Sequence, residues 1–395
     1  MESTCELIDK RICAVRCTRR SILQPIPSKF TGSKGSEIKW KSSKETTQKL
    51  IKVLQEDIIS ENFDIGYEAS GLLGCVLAKE EFLEKVDLEI SSSLLTSLLD
   101  AIEHHIEKKS DKRILIRGLW SLSNSMFKNE VYGANLKKIF FIINQVLGGH
   151  NEISSLAQLE TLKAVLQLQD AIHSKMVENC REYIQSVFMQ LFHEHDKVRD
   201  VSYRCVFNLK NHMQENPEVT QVIIPDLKAT YTKKMLRLVT AECSDVLRVW
   251  RLIVGLLGKH LHPGTSLINL LLEVVEKAFK SQQSSIRIDA FLCWQALMDN
   301  FSLNEQVITN PKRLKLLIAP LKFTESVLKY VMQTTVWDLI TRWESPNAKP
   351  GFKVVVCNLF VLWFLVGWAS GAPGVLGLYL MDLRMISMSF GRRYV

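Results

Sequence analysis

Apolar residues recur along the middle of the chain at the spacing of an α-helix. Over residues 50–58 and 94–106, a leucine or isoleucine stands at every fourth position. This interval places one apolar stripe along each helix, so the segments predict amphipathic helices that bury one face. We predict about a dozen such helices and no alternating strand. The same period returns over residues 136–147, 156–166, 184–191, 250–257, 267–275 and 291–301.

A second, longer period appears in the arginines that follow an aliphatic residue near the start of four predicted helices. Their separations are 82, 49 and 39 residues, and 82 counts as two repeats. Each interval is then near the roughly 40–47 residues of HEAT and armadillo repeats. We expect these side chains to lie along the seams between repeats, each able to pair with an acidic residue of the next unit. They are Arg117, Arg199, Arg248 and Arg287.

The two periods together predict the fold class, an all-α solenoid of HEAT/armadillo-like antiparallel helix pairs. One helix pair cannot bury its own apolar stripe, whereas stacked pairs bury it and leave an accessible concave face. Turn signals such as Gly148-Gly149, Asn216-Pro217 and Pro263-Gly264 separate the helices. The alternative is an irregular helical bundle.

Composition changes at both ends and predicts three segments. Residues 1–45 hold ten Lys/Arg against five Asp/Glu, and Pro, Gly and Ser interrupt any regular element there. We expect 1–44 to be a basic, largely disordered tail, acting either as a phosphate-contacting arm or as a solvated leader. Residues 45–343 form the predicted solenoid. Residues 344–395 form a separate apolar tail.

Within that last segment, residues 354–381 carry no charged side chain. Their length satisfies a membrane-spanning helix, which needs about 20 apolar residues. The first interpretation is therefore a membrane-tethered HEAT-repeat adaptor. The second, which we favour, is an alternative exon or a translated non-coding extension that replaces the next repeat.

Residue types give little support to catalysis. The sequence contains no Walker phosphate loop, dinucleotide-binding glycine motif, nucleophile elbow or His-Glu-x-x-His pair. Nine cysteines are scattered without a C-x-x-C pair, which together with the lack of a secretory signal favours the cytosol or nucleus. Close histidine pairs such as His193 and His195 are better explained as surface residues than as metal ligands. We expect no enzyme activity, cofactor or metal.

Basic clusters on predicted helices are the candidates for binding. Each cluster can contact DNA phosphates without selecting a base sequence. Each is also typical of an exposed helix end, where cations offset the helix dipole. The two clusters are Lys233, Lys234 and Arg237, and Lys312, Arg313 and Lys315.

A family resemblance comes from ordered motifs in the second half of the chain. Trp250, the run Leu-Leu-Gly-Lys-His-Leu-His at 256–262 and Leu-Met-Asp-Asn-Phe at 297–301 stand in sequence, and Leu73-Gly74-Cys75 and Arg117-Gly118-Leu119-Trp120 precede them. In these motifs, from about residue 48 to about residue 343, the chain resembles the amino-terminal HEAT-repeat domain of the telomere-associated Rif (Rap-interacting factor) proteins.

The resemblance implies a non-enzymatic chromosome scaffold in the nucleus, in the telomeric region. Its implied roles are telomere maintenance, choice of double-strand-break repair pathway and replication timing. Its implied partners are DNA, held by the backbone with tolerance of sequence, or chromatin proteins. The family also recruits a protein phosphatase through motifs that usually lie outside the repeats, so we do not expect that recruitment here.

Overall fold

The computed structural model describes residues 11, 13–16, 44–60, 62–107, 112–148, 153–243, 245–262 and 266–304. Throughout those ranges the regular structure is helical, without a strand. Contacts between Cα atoms divide the chain into two compact units, residues 1–252 and 253–395. The all-α prediction is confirmed.

The first unit consists of a series of helices joined by short turns. Three-residue 3₁₀ turns, Cys180–Glu182 and Gln190–Phe192, flank α9, and a π-helical turn, Leu227–Tyr231, joins α12 to α13. The α-helices are α1 (Lys44–Ile58), α2 (Phe63–Leu77), α3 (Glu80–Leu83), α4 (Leu88–Glu107), α5 (Lys112–Ser123), α6 (Asn129–Leu147), α7 (Ser155–Ala171), α8 (His173–Glu178), α9 (Ile184–Met189), α10 (Asp196–Asn208), α11 (Lys210–Glu215), α12 (Pro217–Asp226), α13 (Thr232–Thr240) and α14 (Asp245–Leu257), whose residues after Leu252 belong to the second unit.

Successive helix pairs stack in register in this unit. In one layer α1 packs against α4, α4 against α6, and α6 against α9. In the other layer, called the second layer below, α2 packs against α5, α5 against α7, and α7 against α10. Each helix therefore contacts its partner in the pair and the equivalent helix of the next pair, which is how repeat proteins bury their apolar stripes. The predicted solenoid is confirmed by this arrangement.

The stripe predicted on α4 shows how the layers are held together. Leu94, Leu98 and Ile102 are at most 1% exposed. Burial of each such side chain contributes about 1.5–3 kcal/mol. Helix starts are set locally, since Asn62 Oδ1 accepts hydrogen bonds from the amides of Asp64 and Ile65 at 3.1 and 3.2 Å, which caps α2.

The sequence periods did not predict the irregular connection after α12. Pro225 lies inside that helix, and the π-helical turn follows it directly. Proline has no amide hydrogen to donate and its ring crowds the preceding turn, so a regular helical ladder cannot continue through it. The chain resumes regular helix only at α13.

The described part of the second unit contains the end of α14, a 3₁₀ turn (Gly258–Leu261), α15 (Ser266–Phe279) and α16 (Ser284–Phe301), with α15 packed against α16. Asn300 joins α16 to the end of α14. Its Nδ2 donates to the carbonyls of Val254 and Gly258 at 3.0 and 2.9 Å, which lie where α14 ends. Gly258 adopts a positive φ of 48°, a backbone conformation that favours glycine.

Asn300→Ala should lower the stability of the second unit by about 2 kcal/mol, because one buried and one half-buried carbonyl lose their donor. The loss is expected as a lower midpoint of thermal unfolding and as faster hydrogen exchange near Gly258. Gln295→Ala on the same helix, where the side chain is partly exposed, is the control. Equal effects of the two changes would contradict the structural role of Asn300.

Several predicted segments lie wholly or partly outside the described residues. Of the predicted tail 1–44, only residues 11, 13–16 and Lys44 are described and they are helical; Val15 is buried and Arg11 Nη2 lies 2.5 Å from Asp57 Oδ1. Residues 344–395, with the apolar stretch 354–381, are not among the described residues. Among the helices in the described ranges, none is both long enough and apolar enough to cross a membrane.

Candidate docking face on the second helix layer

Arg199 joins the turn before α10 to the start of α14. Its Nη1 donates to the carbonyls of His193 and Glu194 at 2.9 and 2.8 Å, and its Nη2 donates to Asp245 Oδ2 at 3.1 Å. The residue is 5% exposed. A guanidinium can make all these bonds at once because its donors form a fixed planar fork.

Arg287 repeats that geometry in the second unit. Its Nη1 donates to the carbonyls of Ser281 and Gln282, both at 2.8 Å, and its Nη2 donates to Ser284 Oγ at 3.0 Å. In both cases the carbonyls belong to the residues six and five positions before the arginine. The same device therefore holds the turn before α10 and the turn before α16.

Arg117 and Arg248 are used differently, since each lies over an aromatic ring of the preceding pair. The Cζ of Arg117 is 4.0 Å from the ring centre of Tyr67, and that of Arg248 is 3.7 Å from the ring centre of Tyr203. Such cation–π contacts contribute about 0.5–2 kcal/mol, depending on exposure. The rings belong to α2 and α10, so one stack joins α2 to α5 and the other joins α10 to α14.

Carboxylates accompany both stacks. Arg248 Nη1 lies 3.2 Å from Asp200 Oδ1, and Arg117 Nη1 lies 4.0 Å from Glu68 Oε2. Both acids lie on the preceding helix pair, whereas the sequence predicted that each arginine would pair with an acid of the following pair. Among the three seam arginines of the first unit, only Arg199 contacts an acid that comes later in the chain, Asp245. The four seam arginines thus comprise two turn clamps and two aromatic stacks.

The aromatic half of these stacks was not identified from the sequence. Phe63 and Tyr67 on α2 stack at 5.8 Å between ring centres, and Tyr203 and Phe207 on α10 do the same at 5.8 Å. Both pairs have the i, i+4 spacing that places side chains on one helix face. Apolar residues in the core have the same spacing. Only the arginine one repeat later distinguishes an aromatic pair that stacks with a cation from a pair that belongs to the core.

Two glycines of α2 let α5 approach this face. A Cβ added at Gly71 would lie 3.0 Å from Cζ of Arg117, and one added at Gly74 would lie 2.7 Å from Ser121 Oγ and 2.8 Å from Cε3 of Trp120. The motifs Leu73-Gly74-Cys75 and Arg117-Gly118-Leu119-Trp120 therefore meet at one helix crossing.

Two grooves open on the second layer. One lies between α2, α5 and α7, with a volume of about 340 Å³. The other lies between α7, α10 and α14, with a volume of about 460 Å³. The first is lined by Tyr67, Arg113, Ile116, Arg117, Trp120, Leu156 and Glu160.

The candidate phosphate-binding residues are only partly described. Lys233 and Arg237 are exposed on α13 and Lys234 is half-buried, whereas Lys312, Arg313 and Lys315 lie outside the described residues. Burial lowers the pKa of the half-buried His193 below its usual value, repulsion from His195, Arg199 and Lys234 lowers it further, and the carboxylate of Glu194 acts in the opposite direction.

Metal chemistry finds no support in the described residues, where no three or more His, Cys, Asp or Glu side chains converge. His193 and His195 stack on one another with ring centres 5.4 Å apart. This layer carries arginines, aromatic rings and shallow grooves, and for that reason it is the candidate docking face.

Residues 39–362 match the family model described as Rap1-interacting factor 1 N terminal. The chain belongs to this family. The match confirms the resemblance inferred from the motifs and extends past residue 343, where the sequence analysis had placed the end of the repeats.

Curated relatives of the Rap1-interacting factor 1 N-terminal family are similar over most of this chain. The telomere-associated protein RIF1 of Gallus gallus is 28% identical over 333 residues, which is 82% of this chain and 14% of the relative. That of Homo sapiens is 28% identical over 340 residues, 85% of this chain and 13% of the relative. The chain therefore spans about one seventh of the length of these relatives.

A solved structure gives a weaker comparison. A designed armadillo repeat protein superposes with a TM-score of 0.39 and 12% identity, over 64% of this chain and 99% of the designed one.

Proposed function

We propose that this chain is a non-enzymatic, telomere-associated scaffold that acts at chromosomes in the nucleus and holds DNA or a chromatin protein on its repeats. The single observation that carries the proposal is the family match over residues 39–362. The curated relatives are named as telomere-associated proteins, and a stack of helix pairs offers a long surface for docking. Finer roles in telomere maintenance, double-strand-break repair choice and replication timing rest on the family resemblance.

DNA is the first partner proposed. Its contact is the exposed pair Lys233 and Arg237 on α13, which share one helix face by their i, i+4 spacing. Each phosphate that a cation neutralises releases a counterion, so affinity for duplex DNA should fall steeply with salt and depend little on base sequence.

The double substitution Lys233→Gln/Arg237→Gln should weaken duplex binding at about 50 mM salt and reduce the slope of log affinity against log salt by about 2. Fluorescence anisotropy of a labelled duplex over a salt series measures both. The control is Lys49→Gln/Lys52→Gln on α1, which also removes two exposed positive charges. It should change the slope less. If the unmodified chain shows no binding at about 50 mM salt, the DNA part of the proposal fails.

A membrane-tethered adaptor is the second candidate, carried by the uncharged stretch 354–381. Extraction of the full chain from membranes by alkaline carbonate would exclude it, and resistance to extraction would favour it over the chromosomal role.

A further inference from the structure

A short helical turn from the start of the chain lies across the first helix pair. It comprises Arg11 and residues 13–16, called the N-terminal turn below. Arg11 Nη2 lies 2.5 Å from Asp57 Oδ1, near the end of α1, and Arg16 Nε donates to Glu68 Oε1 on α2 at 3.0 Å. The N-terminal turn therefore bridges the two helices of one pair through two ion pairs.

Both carboxylates that the N-terminal turn contacts are buried. Asp57 is 1% exposed and Glu68 is 8% exposed, and charged side chains are almost never buried to this degree without a partner. Burial raises the pKa of Asp57 above its ordinary value, the hydrogen bond and the charge of Arg11 lower it, and the charge of Glu56 raises it. Glu68 also lies 4.0 Å from Arg117 Nη1, beyond hydrogen-bond distance. The first helix pair therefore has two acidic positions that an arginine stabilises.

The contact that holds the N-terminal turn is small and partly open to water. Among its described residues only Val15 is buried, at 7% exposed, whereas the side chains of Arg11 and Arg16 are 43% and 56% exposed. Ion pairs with exposed partners are screened by salt and are individually weak. The N-terminal turn can therefore leave α1 and α2 more easily than a helix of the repeats, which buries a whole apolar stripe.

We propose that α1 and α2 form a binding site for a short basic helix with one apolar side chain, and that the N-terminal turn is its displaceable occupant. When the turn leaves, Asp57 and Glu68 lose their arginines and become available to a basic helical segment of another molecule. The site selects positive charge, the opposite of the charge carried by nucleic acid. The inference therefore goes beyond the proposed scaffold function and does not depend on DNA binding.

The test uses the full chain and a fluorescein-labelled peptide with the sequence of residues 8–19, in which Cys13→Ser and Cys17→Ser prevent disulfide formation. The unmodified chain should bind this peptide weakly, because its own N-terminal turn occupies the site at a high effective concentration. Val15→Ser in the chain removes the apolar contact of the turn without changing the charge. It should raise the affinity for the peptide by about tenfold or more, as measured by fluorescence anisotropy.

Further variants show whether the peptide makes the contacts of the N-terminal turn. Arg11→Gln/Arg16→Gln in the chain is a second way to vacate the site, and it should raise the affinity for the peptide as Val15→Ser does. Asp57→Asn/Glu68→Gln, added to the Val15→Ser chain, should weaken the peptide by about tenfold or more, because both charged acceptors are lost. A peptide that carries Arg11→Gln and Arg16→Gln should be weakened to a similar extent.

The matched control is Glu89→Gln/Glu130→Gln, also added to the Val15→Ser chain. It removes two exposed carboxylates from α4 and α6, so the change in net charge equals that of the double substitution at the site. The affinity for the peptide should stay unchanged in this control. Circular dichroism checks that each chain remains folded, and because the two vacated chains are altered at different residues, one serves if the other unfolds.

The inference is overturned if the peptide binds no form of the chain, or if it binds the unmodified chain as tightly as the vacated ones. It is also overturned if Asp57→Asn/Glu68→Gln has no more effect than the control, or if the peptide without arginines binds equally well. Tight binding by the vacated chains alone, lost together with the two carboxylates, is the result that supports it.

Discussion

Arg199→Ala is expected to destabilise the first unit by about 3 kcal/mol. The change removes three charge-assisted hydrogen bonds from a side chain that is 5% exposed, and each such bond contributes about 1.5–3 kcal/mol without full additivity. It also leaves the carbonyls of His193 and Glu194 without this donor and creates a cavity beside the turn.

Hydrogen exchange is the sharpest measurement, because it separates local opening from global unfolding. Amides in residues 193–208 should exchange much faster in Arg199→Ala. The matched control is Arg248→Ala, in which the arginine side chain is 44% exposed, pairs with a half-exposed carboxylate and stacks on Tyr203; its cost should be about 1–2 kcal/mol. If both variants lose stability equally, Arg199 does not act as a clamp.

Gly74→Ala is the second change with a large expected effect, a loss of about 3 kcal/mol. The new Cβ would meet Ser121 Oγ at 2.7 Å and Cε3 of Trp120 at 2.8 Å. Ser121 is fully buried and donates to the carbonyl of Ser70 at 2.6 Å, so neither neighbour can move without separating α2 from α5. Overpacking of this kind costs about 1–3 kcal/mol and occasionally more.

Gly71→Ala, one helical turn earlier, is the control for Gly74→Ala, because it adds the same methyl group next to a flexible side chain. Its Cβ would meet only the end of the Arg117 side chain, which can swing away. Replacing glycine by alanine inside a helix gains about 1 kcal/mol of helix propensity, which offsets the loss of the Arg117 stack on Tyr67, about 0.5–2 kcal/mol, so stability should change little. Thermal unfolding of the two variants under one condition should therefore separate them, and equal loss at both positions would contradict the packing.

The helix pairs could be predicted because their information lies in side-chain periods. The leucines of α4 recur at the interval that buries them, and the arginine spacing gives the length of the repeat. What each arginine contacts was not predictable in the same way. Arg199 and Arg287 bond to backbone carbonyls, which carry no sequence signature, while Arg117 and Arg248 need an aromatic residue one repeat earlier.

The grooves and the close crossing of α2 and α5 could not be predicted from the sequence, because they depend on how separate helices pack. Phe63 and Tyr67 have the spacing of core residues, and only the position of α5 shows that arginines cover them. Gly74 stood in a motif used for the family resemblance. The residue that explains why a glycine is needed there, Trp120, lies 46 positions away in the sequence. The basic cluster on α13 was visible in the sequence, whereas its electrostatic coupling to His193 was not.

The links between α10 and α14 run in both directions, from Arg199 to Asp245 and from Arg248 back to Asp200 and Tyr203. Every one of them joins the same two neighbouring helices. A pulling force on a protein assembled from such nearest-neighbour links extends it step by step, since one helix pair can detach while those beyond it stay packed. A repeat protein of this design would lengthen under load before all of its helix pairs came apart.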